Sequence, residues 1–389
     1  MSVTNEEIEF GWFIPTSGDG PYIGVPPERE ATLDYMIDVA QAAEAAGFTF
    51  ALIPTGSTCI DGWVLAGAIV ARTKTFKPLV AMRPGFISPV LAARMAGSLD
   101  YISNGRALIN VVTGDSAIDL KAMGDPLHDN HDARYDRTLE FVQVVKNVWE
   151  KSIDNGKNYF AGDRVKFEGE YYQVESVASY PAPVQRPHPP LYFGGSSPAG
   201  KRVASKVADV YLMWAEPLEW IKEQIQEMED LRRVESERTG QARAIRYGLR
   251  AQVLVRETAE EAWQAARNIV SRADPASYAM AKSYHNKTDA TNQKRQNQLR
   301  DMSEQTDGIV GPNLWAGLSA IRGGGALMFV GTPDEVADRL IEFVDIGISA
   351  FILSSYPHLE EVTTTGQLLL PVFEDKIRQR AARVSGSLR

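Results

Sequence analysis

The chain has 389 residues, with 41 basic against 50 acidic side chains and a net charge of −9, which speaks against general nucleic-acid or acidic-membrane binding while leaving room for a local basic pocket. The single cysteine, Cys59, excludes an intramolecular disulfide and a cysteine-based zinc site. No tract approaches the ~20 apolar residues of a membrane span, the first ten residues lack the features of a signal peptide, and 44% hydrophobic residues can build a large core, so the chain reads as a soluble, cytoplasmic protein.

Short apolar runs alternate with helical patterns. Strands are predicted at 9–14, 49–53, 77–82, 107–112, 190–193, 208–213, 246–255 and 350–354. None alternates cleanly, as expected for strands buried on both faces. The stripe Leu33, Met36, Ile37, Ala40 and Ala43 predicts a helix stopped near Gly47. Ser88-Pro89 supplies an N-cap and a first-turn proline for a helix over 90–99. Thr258 with Glu261, and Thr332 with Glu335, are capping-box signals for helices at 259–272 and 336–346. Eight strands alternating with helices predict one α/β domain, a (β/α)8 TIM barrel. It carries insertions at about 151–189 and 273–325. The first holds an amphipathic strand pair around Val165 to Val177 and the proline-rich PAPVQRPHPP. The second is polar and reads as a mobile lid. His128 and His131 lie among Asp125, Asp129 and Asp132; a solvated loop is the simpler reading, and no metal is expected.

In such barrels the chemistry sits at the carboxyl ends of the strands. Those ends present Thr16, Ser17 and Asp19; Thr55 and Cys59; Arg83-Pro84-Gly85; Asn110 and Thr113; Gly194-Gly195-Ser196-Ser197; Trp214 and Glu216; Arg250 and Gln252; and Ser354, Ser355, Tyr356 and His358. The glycine-serine turn is the sharpest of these. It runs from strand into helix, with Ser197 as N-cap and Pro198 as first helical residue, a phosphate cradle in form. It is neither a dinucleotide fingerprint nor a Walker loop. Arg250, in an apolar strand, needs a carboxylate or an anionic ligand. Cys59 reads more simply as a small buried hydrophobe than as a nucleophile. No hydrolytic triad or carboxylate pair emerges, so a bound cofactor is expected to carry the hard chemistry.

The stretches WFIPTSGDGPYIG, ALIPTGSTCIDGW, RPGFISPVLAARMAGSLDYISNGRALINVVTG, PPLYFGGSS, VYLMWAEP, PNLWAGLSAIRGGG and SSYPHLEE carry a resemblance. Over about residues 9–375 the chain resembles the bacterial luciferase-like flavin monooxygenases, and within them the alkanesulfonate monooxygenase branch. The resemblance implies reduced FMN as co-substrate, supplied by a separate NAD(P)H-dependent FMN reductase, and O2 as oxidant. The carbon next to sulfur would be oxygenated, and C–S cleavage would give an aldehyde and sulfite. By motif position, Asn110, Thr113, Tyr135, Gly195, Ser196 and Ser197 should bind FMN. Cys59, Trp214, Arg250, Arg322, Tyr356 and His358 should line the reaction site, with Ser17 and Gln252 beside the substrate. The resemblance also implies a homodimer or homotetramer.

The chain departs from that branch at Ser17 and Gln252, where histidine is usual, and at 115–130. Two titrating imidazoles become neutral hydrogen-bonding groups. A more polar sulfonate, such as the sulfosugar sulfoquinovose, is therefore an alternative substrate, as is a sulfone or an amine. A deazaflavin-dependent oxidoreductase and a non-catalytic flavin-binding protein are the remaining alternatives.

Overall fold

In the computed structural model, which describes residues 8–114, 116–154, 164–176, 178 and 180–386, eight parallel strands close a barrel. In chain order the strands are β1 (Glu9–Phe13), β2 (Phe50–Ile53), β3 (Lys77–Met82), β4 (Leu108–Val111), β5 (Val165–Glu168), β6 (Gln173–Ser176), β7 (Leu191–Gly194), β8 (Val210–Trp214), β9 (Arg246–Arg250), β10 (Gln252–Val255), β11 (Ile309–Gly311), β12 (Leu314–Trp315), β13 (Met328–Gly331) and β14 (Ile348–Ile352). The barrel runs β1-β14-β9-β8-β7-β4-β3-β2. All eight predicted strands are present, and the (β/α)8 barrel is the fold.

One prediction is corrected. The run 246–255 is two strands, not one. β9 stays in the barrel, and β10 leaves it for a second sheet, β10-β13-β12-β11. There Gln252 pairs with Met328 and Val255 with Gly331 in a parallel ladder. β13 had no predicted counterpart. In the first insertion β5 and β6 form the expected antiparallel pair; Val177, at its expected end, lies outside the described residues.

Helix termini follow the sequence signals. Thr258 and Thr332 each close a reciprocal capping box, before Ala259–Ile269 and Pro333–Asp345. Ser88 caps Pro89–Ile102. Gly47, at φ 94°, follows the helix Leu33–Ala45, a backbone conformation that favours glycine.

The chain divides into two compact units: Met1–Ala51, Leu212–Gln226 and Arg246–Arg389 form one, and Leu52–Tyr211 with Glu227–Ile245 the other. In the first, Phe10 stacks on Phe351 at 5.3 Å and meets Phe373 edge-on at 5.0 Å. Gly11 is needed there because any Cβ would collide with the Phe50 ring. In the second, Arg106 pins the end of the helix Gly62–Arg72. Its guanidinium donates to the Val70 and Phe76 carbonyls at 2.7 and 3.1 Å and to Thr73 Oγ1 at 3.1 Å. Asp100 anchors the proline-rich segment by accepting from the Val184 and Gln185 backbone N–H groups at 2.6 and 2.9 Å.

The stretch 273–325, expected to be an insertion and mobile lid, contains the helices Pro275–Asn286 and Thr291–Met302 followed by β11 and β12. Glu216, a strand-end candidate for chemistry, holds it instead: the buried carboxylate accepts from Arg295 Nε and Nη2 at 2.8 and 2.7 Å. Among the described residues no helix is long and apolar enough to cross a membrane.

Candidate active site

Each unit places one cluster at the carboxyl ends of its strands. In the second unit, β4 and β7 are parallel neighbours, pairing Asn110 with Tyr192 and Val111 with Phe193. The residues that follow them, Thr113 and Gly195-Ser196-Ser197, therefore emerge side by side. Ser197 caps Pro198–Val207, its Oγ accepting from the Gly200 N–H at 3.1 Å, with proline in the first turn. Gly195 sits at φ 144°, and a Cβ there would stand 2.6 Å from Tyr135 Oη. Tyr135 is buried against this turn, and Tyr211 Oη donates to the Gly195 carbonyl at 2.9 Å.

Two buried atoms here, Ser196 Oγ and Asn110 Oδ1, have no hydrogen-bond partner among the described residues. Such atoms are costly unless a ligand satisfies them. Ser196 Oγ can donate and, with the N-terminus of a ten-residue helix, fits an anionic group such as the phosphate of FMN, whereas Asn110 Oδ1 only accepts and calls for a donor on the ligand. The structure thus groups Asn110, Thr113, Tyr135, Gly195, Ser196 and Ser197. Cys59, half-buried after β2, follows a tight turn in which its N–H donates to the Gly56 carbonyl at 3.1 Å.

His128 and His131 lie near an ion pair rather than a metal cluster. Asp125 accepts from both Arg137 Nη atoms at 2.7 and 2.6 Å, and Arg137 also donates to the Pro84 carbonyl at 3.2 Å. Among the described residues no group of three or more His, Cys, Asp or Glu could hold a metal ion.

In the first unit the cluster is built on guanidinium groups. Arg250, only 4% exposed, ends β9. Its Nη1 donates to the Ala251 and Ile352 carbonyls and its Nη2 to Ser354 Oγ at 2.7 Å. The Gln252 amide oxygen accepts from Arg250 Nη2 at 3.0 Å, while its NH2 donates to the Ser354 carbonyl at 2.8 Å. Gln252 therefore orients Arg250 as a neutral partner.

Arg322 contributes a second guanidinium. Its Nε donates to Tyr356 Oη, and its Nη1 to the Gly323 carbonyl at 2.8 Å. Both guanidinium carbons lie over the Phe13 ring, Arg250 at 5.1 Å and Arg322 at 5.9 Å from the centroid. Gly325, at φ 75°, packs where a Cβ would stand 3.0 Å from Arg250 Cγ and 3.3 Å from Trp214, which draws the RGGG segment onto both side chains. Neither guanidinium has a carboxylate ion-pair partner among the described residues. Burial first, and the Arg322 charge second, push the Arg250 pKa down to about 9. Two like charges held together without a counter-ion form a site for an anion.

His358 completes this cluster, its ring 5.0 Å from Tyr356 and 5.8 Å from Phe13. Its Nδ1 lies 2.9 Å from Asp19 Oδ1, and its backbone N–H donates to Asp19 Oδ2 at 2.7 Å. Tyr35 Oη donates to the same Oδ2 at 2.5 Å. Burial alone would raise the Asp19 pKa, but the His358 contacts and then Tyr35 outweigh it and hold the carboxylate below its usual range. Ser17, expected beside the substrate, is exposed on the turn after β1. The buried polar residues of that turn are Thr16 and Asp19. The structure thus joins Trp214, Arg250, Gln252, Arg322, Tyr356 and His358, brings in Asp19 and Ser354 from the strand-end candidates, and adds Phe13.

The strand ends of one unit thus carry a phosphate-type turn, and those of the other a guanidinium pair without a carboxylate partner among the described residues. The luciferase-like monooxygenase family matches residues 8–350, and the chain belongs to that family. Among solved structures it is similar to riboflavin lyase (RcaE), at TM-score 0.75 and 22% identity over 95% of this chain and 92% of that one. It is similar to EDTA monooxygenase (EmoA) from Chelativorans sp. BNC1, at TM-score 0.75 and 20% identity over 95% and 94%. Long-chain alkane monooxygenase (LadA) aligns at TM-score 0.73 and 20% identity over 98% and 92%. At these identities the likeness is one of fold.

Proposed function

We propose that the protein is a reduced-FMN-dependent monooxygenase that cleaves the C–S bond of an organosulfonate. The observation that carries this reading is the guanidinium pair of Arg250 and Arg322 over Phe13, lacking any carboxylate partner among the described residues. A sulfonate is a monoanion with three acceptor oxygens, and two guanidinium forks match it. FMN would be held through its phosphate by Ser196, Ser197 and the helix they open, with Asn110, Thr113 and Tyr135 around it. When bound, the reduced cofactor supplies two electrons and activates O2. One oxygen atom ends in the aldehyde and the other in water, with sulfite as the leaving group and oxidised FMN released. Arg250, oriented by Gln252 and Ser354, binds and orients the anion, and Arg322 with Tyr356 closes on it and excludes water. The reduced flavin would come from a separate NAD(P)H-dependent FMN reductase.

The neutral Gln252–Ser354 web beside Arg250 favours a polar sulfonate, such as a sulfosugar, over a simple alkanesulfonate. A reductase-coupled assay across alkyl and polyhydroxylated sulfonates is expected to release sulfite stoichiometrically with aldehyde. Oxygenated product without sulfite would point to a sulfone or amine substrate, and reduction with a deazaflavin but not FMN to the oxidoreductase alternative. Gly195→Ala is expected to weaken FMN binding at least about ten-fold, since the new Cβ meets Tyr135 and the positive φ is strained. Fluorescence titration measures this, and unchanged affinity would remove the turn from the flavin site.

A further inference from the structure

We propose that Asp19 is a positioning residue for His358, holding its imidazole in the Nδ1–H tautomer and leaving Nε2 as hydrogen-bond and proton acceptor for bound substrate. The acceptor role rests on the monooxygenase reading, whereas the tautomer does not. Four donors converge on the Asp19 carboxylate. Gly20 N–H and His358 Nδ1 reach Oδ1, both at 2.9 Å, and His358 N–H and Tyr35 Oη reach Oδ2. An ionised carboxylate only accepts, so the proton between the two groups belongs to Nδ1. With about four lone-pair sites occupied by four donors, the carboxylate cannot rotate without losing a bond. Its depressed pKa agrees with a carboxylate that stays ionised.

The other nitrogen carries the argument further. Nε2 is buried and has no hydrogen-bond partner among the described residues. A histidine kept for packing alone is expected to satisfy both ring nitrogens. This one is bound rigidly on one side and left open on the other. The rings it touches, Tyr356 and Phe13, are those that carry Arg322 and Arg250.

The charged and titratable groups around His358 come from five elements. Asp19 lies on the turn after β1, and Tyr35 on the helix Leu33–Ala45. Glu360, on the histidine's own helix, is ion-paired to Arg29. Arg322 acts through Tyr356, and Arg250 through Phe13.

The test uses the full chain labelled with 15N-histidine, in which only five imidazoles appear. His358→Gln assigns the His358 signals. The unaltered protein is expected to show His358 protonated on Nδ1, and Asp19→Asn to move the proton to Nε2, because the new amide can donate to Nδ1. In steady state Asp19→Asn is expected to lower kcat by about 10²–10⁴-fold with KM for the sulfonate little changed, since the arginines are intact. Tyr35→Phe removes one donor from the carboxylate and should move the Nδ1–H proton signal downfield with the tautomer retained, as the Nδ1–H···Oδ1 bond strengthens, which decides the matter if Asp19→Asn does not fold. A resting Nε2–H tautomer, or an Nδ1–H signal that neither variant moves, overturns the proposal. If the tautomer switches as expected but no sulfonate is turned over, the positioning role of Asp19 stands and the substrate reading fails.

Discussion

Arg250→Met is expected to lower sulfite release by about 10³-fold or more while leaving the ligand-free protein at least as thermally stable as before. The two halves of this result have one cause. Arg250 is almost wholly buried, its charge faces a second guanidinium, and its partners are two carbonyls and a hydroxyl rather than a carboxylate. With the Gln252 amide oxygen as its fourth acceptor Arg250 is hydrogen-bonded but still lacks a counter-ion; a desolvated cation in that state burdens the fold, and a methionine of similar length lifts that burden. The same substitution removes a preorganised charged donor, a loss of about 10²–10³ in rate for one such donor and more where the ligand's own charge goes unpaired. Adding a substrate sulfonate to the unaltered protein should raise its melting temperature, by about 2.7 kcal/mol of stability at a hundred times Kd. The variant should not respond. Differential scanning fluorimetry with and without ligand reads both effects, and a variant that loses stability without ligand would show that Arg250 is structural.

Asp125→Ala is expected to cost about 3–5 kcal/mol of stability, the range for breaking a buried ion pair by removing one partner. Arg137 would be left 6% exposed with its bidentate acceptor gone and only the Pro84 carbonyl to receive it. Calorimetry measures the loss. Asp125→Asn adds a pH signature. Burial raises the Asp125 pKa, but Arg137, the Leu127 N–H and Arg134 outweigh it and hold it below the ordinary value. Its stabilisation is therefore fully present above about pH 4 and is lost as pH falls through the lower folded pKa. The amide variant should show a flatter stability profile in acid, and an unchanged acid slope would place the pair outside the acid transition.

Much of the barrel could be read from the sequence because its signals are local. Buried parallel strands appear as short apolar runs, and the capping boxes at Thr258 and Thr332 involve residues three apart. What escaped depends on distance or on a choice between equal local options. RYGLRAQVLV has no residue that announces a departure from one sheet to another, yet the chain changes sheets at Ala251. β13 pairs with a strand more than seventy positions earlier, so no local pattern reveals it. Gly195, Ser196 and Ser197 were legible because one turn contains them all. Asp19 was legible as a strand-end residue, but its bond to His358 joins opposite ends of the chain. Ser17 was favoured over its neighbours by motif position, and only burial shows that Thr16 and Asp19 are the inward members of that turn. Asp125 sits in a polar run that reads as solvated, and its pairing with Arg137 needs the turn of a helix to bring it about.

The exchange of sheets at Ala251 also bears on how this enzyme can change over time. The stretch 256–327 runs from the end of β10 to the start of β13, its ladder partner, and on the way adds β12 and β11 to the far side of β13. Because the pair is parallel, Val255 faces Gly331 and Met328 faces Gln252, so the sheet holds the two ends of the stretch a short ladder's length apart. Because closing a loop costs only slowly more as the loop grows, residues can be added to or removed from this stretch without disturbing the barrel. Arg322, and Gly325 with its contacts to Trp214 and Arg250, lie within the stretch itself, just before β13. Such an arrangement lets substrate range diversify by exchange of a module, while the residues on the barrel strands stay where they are.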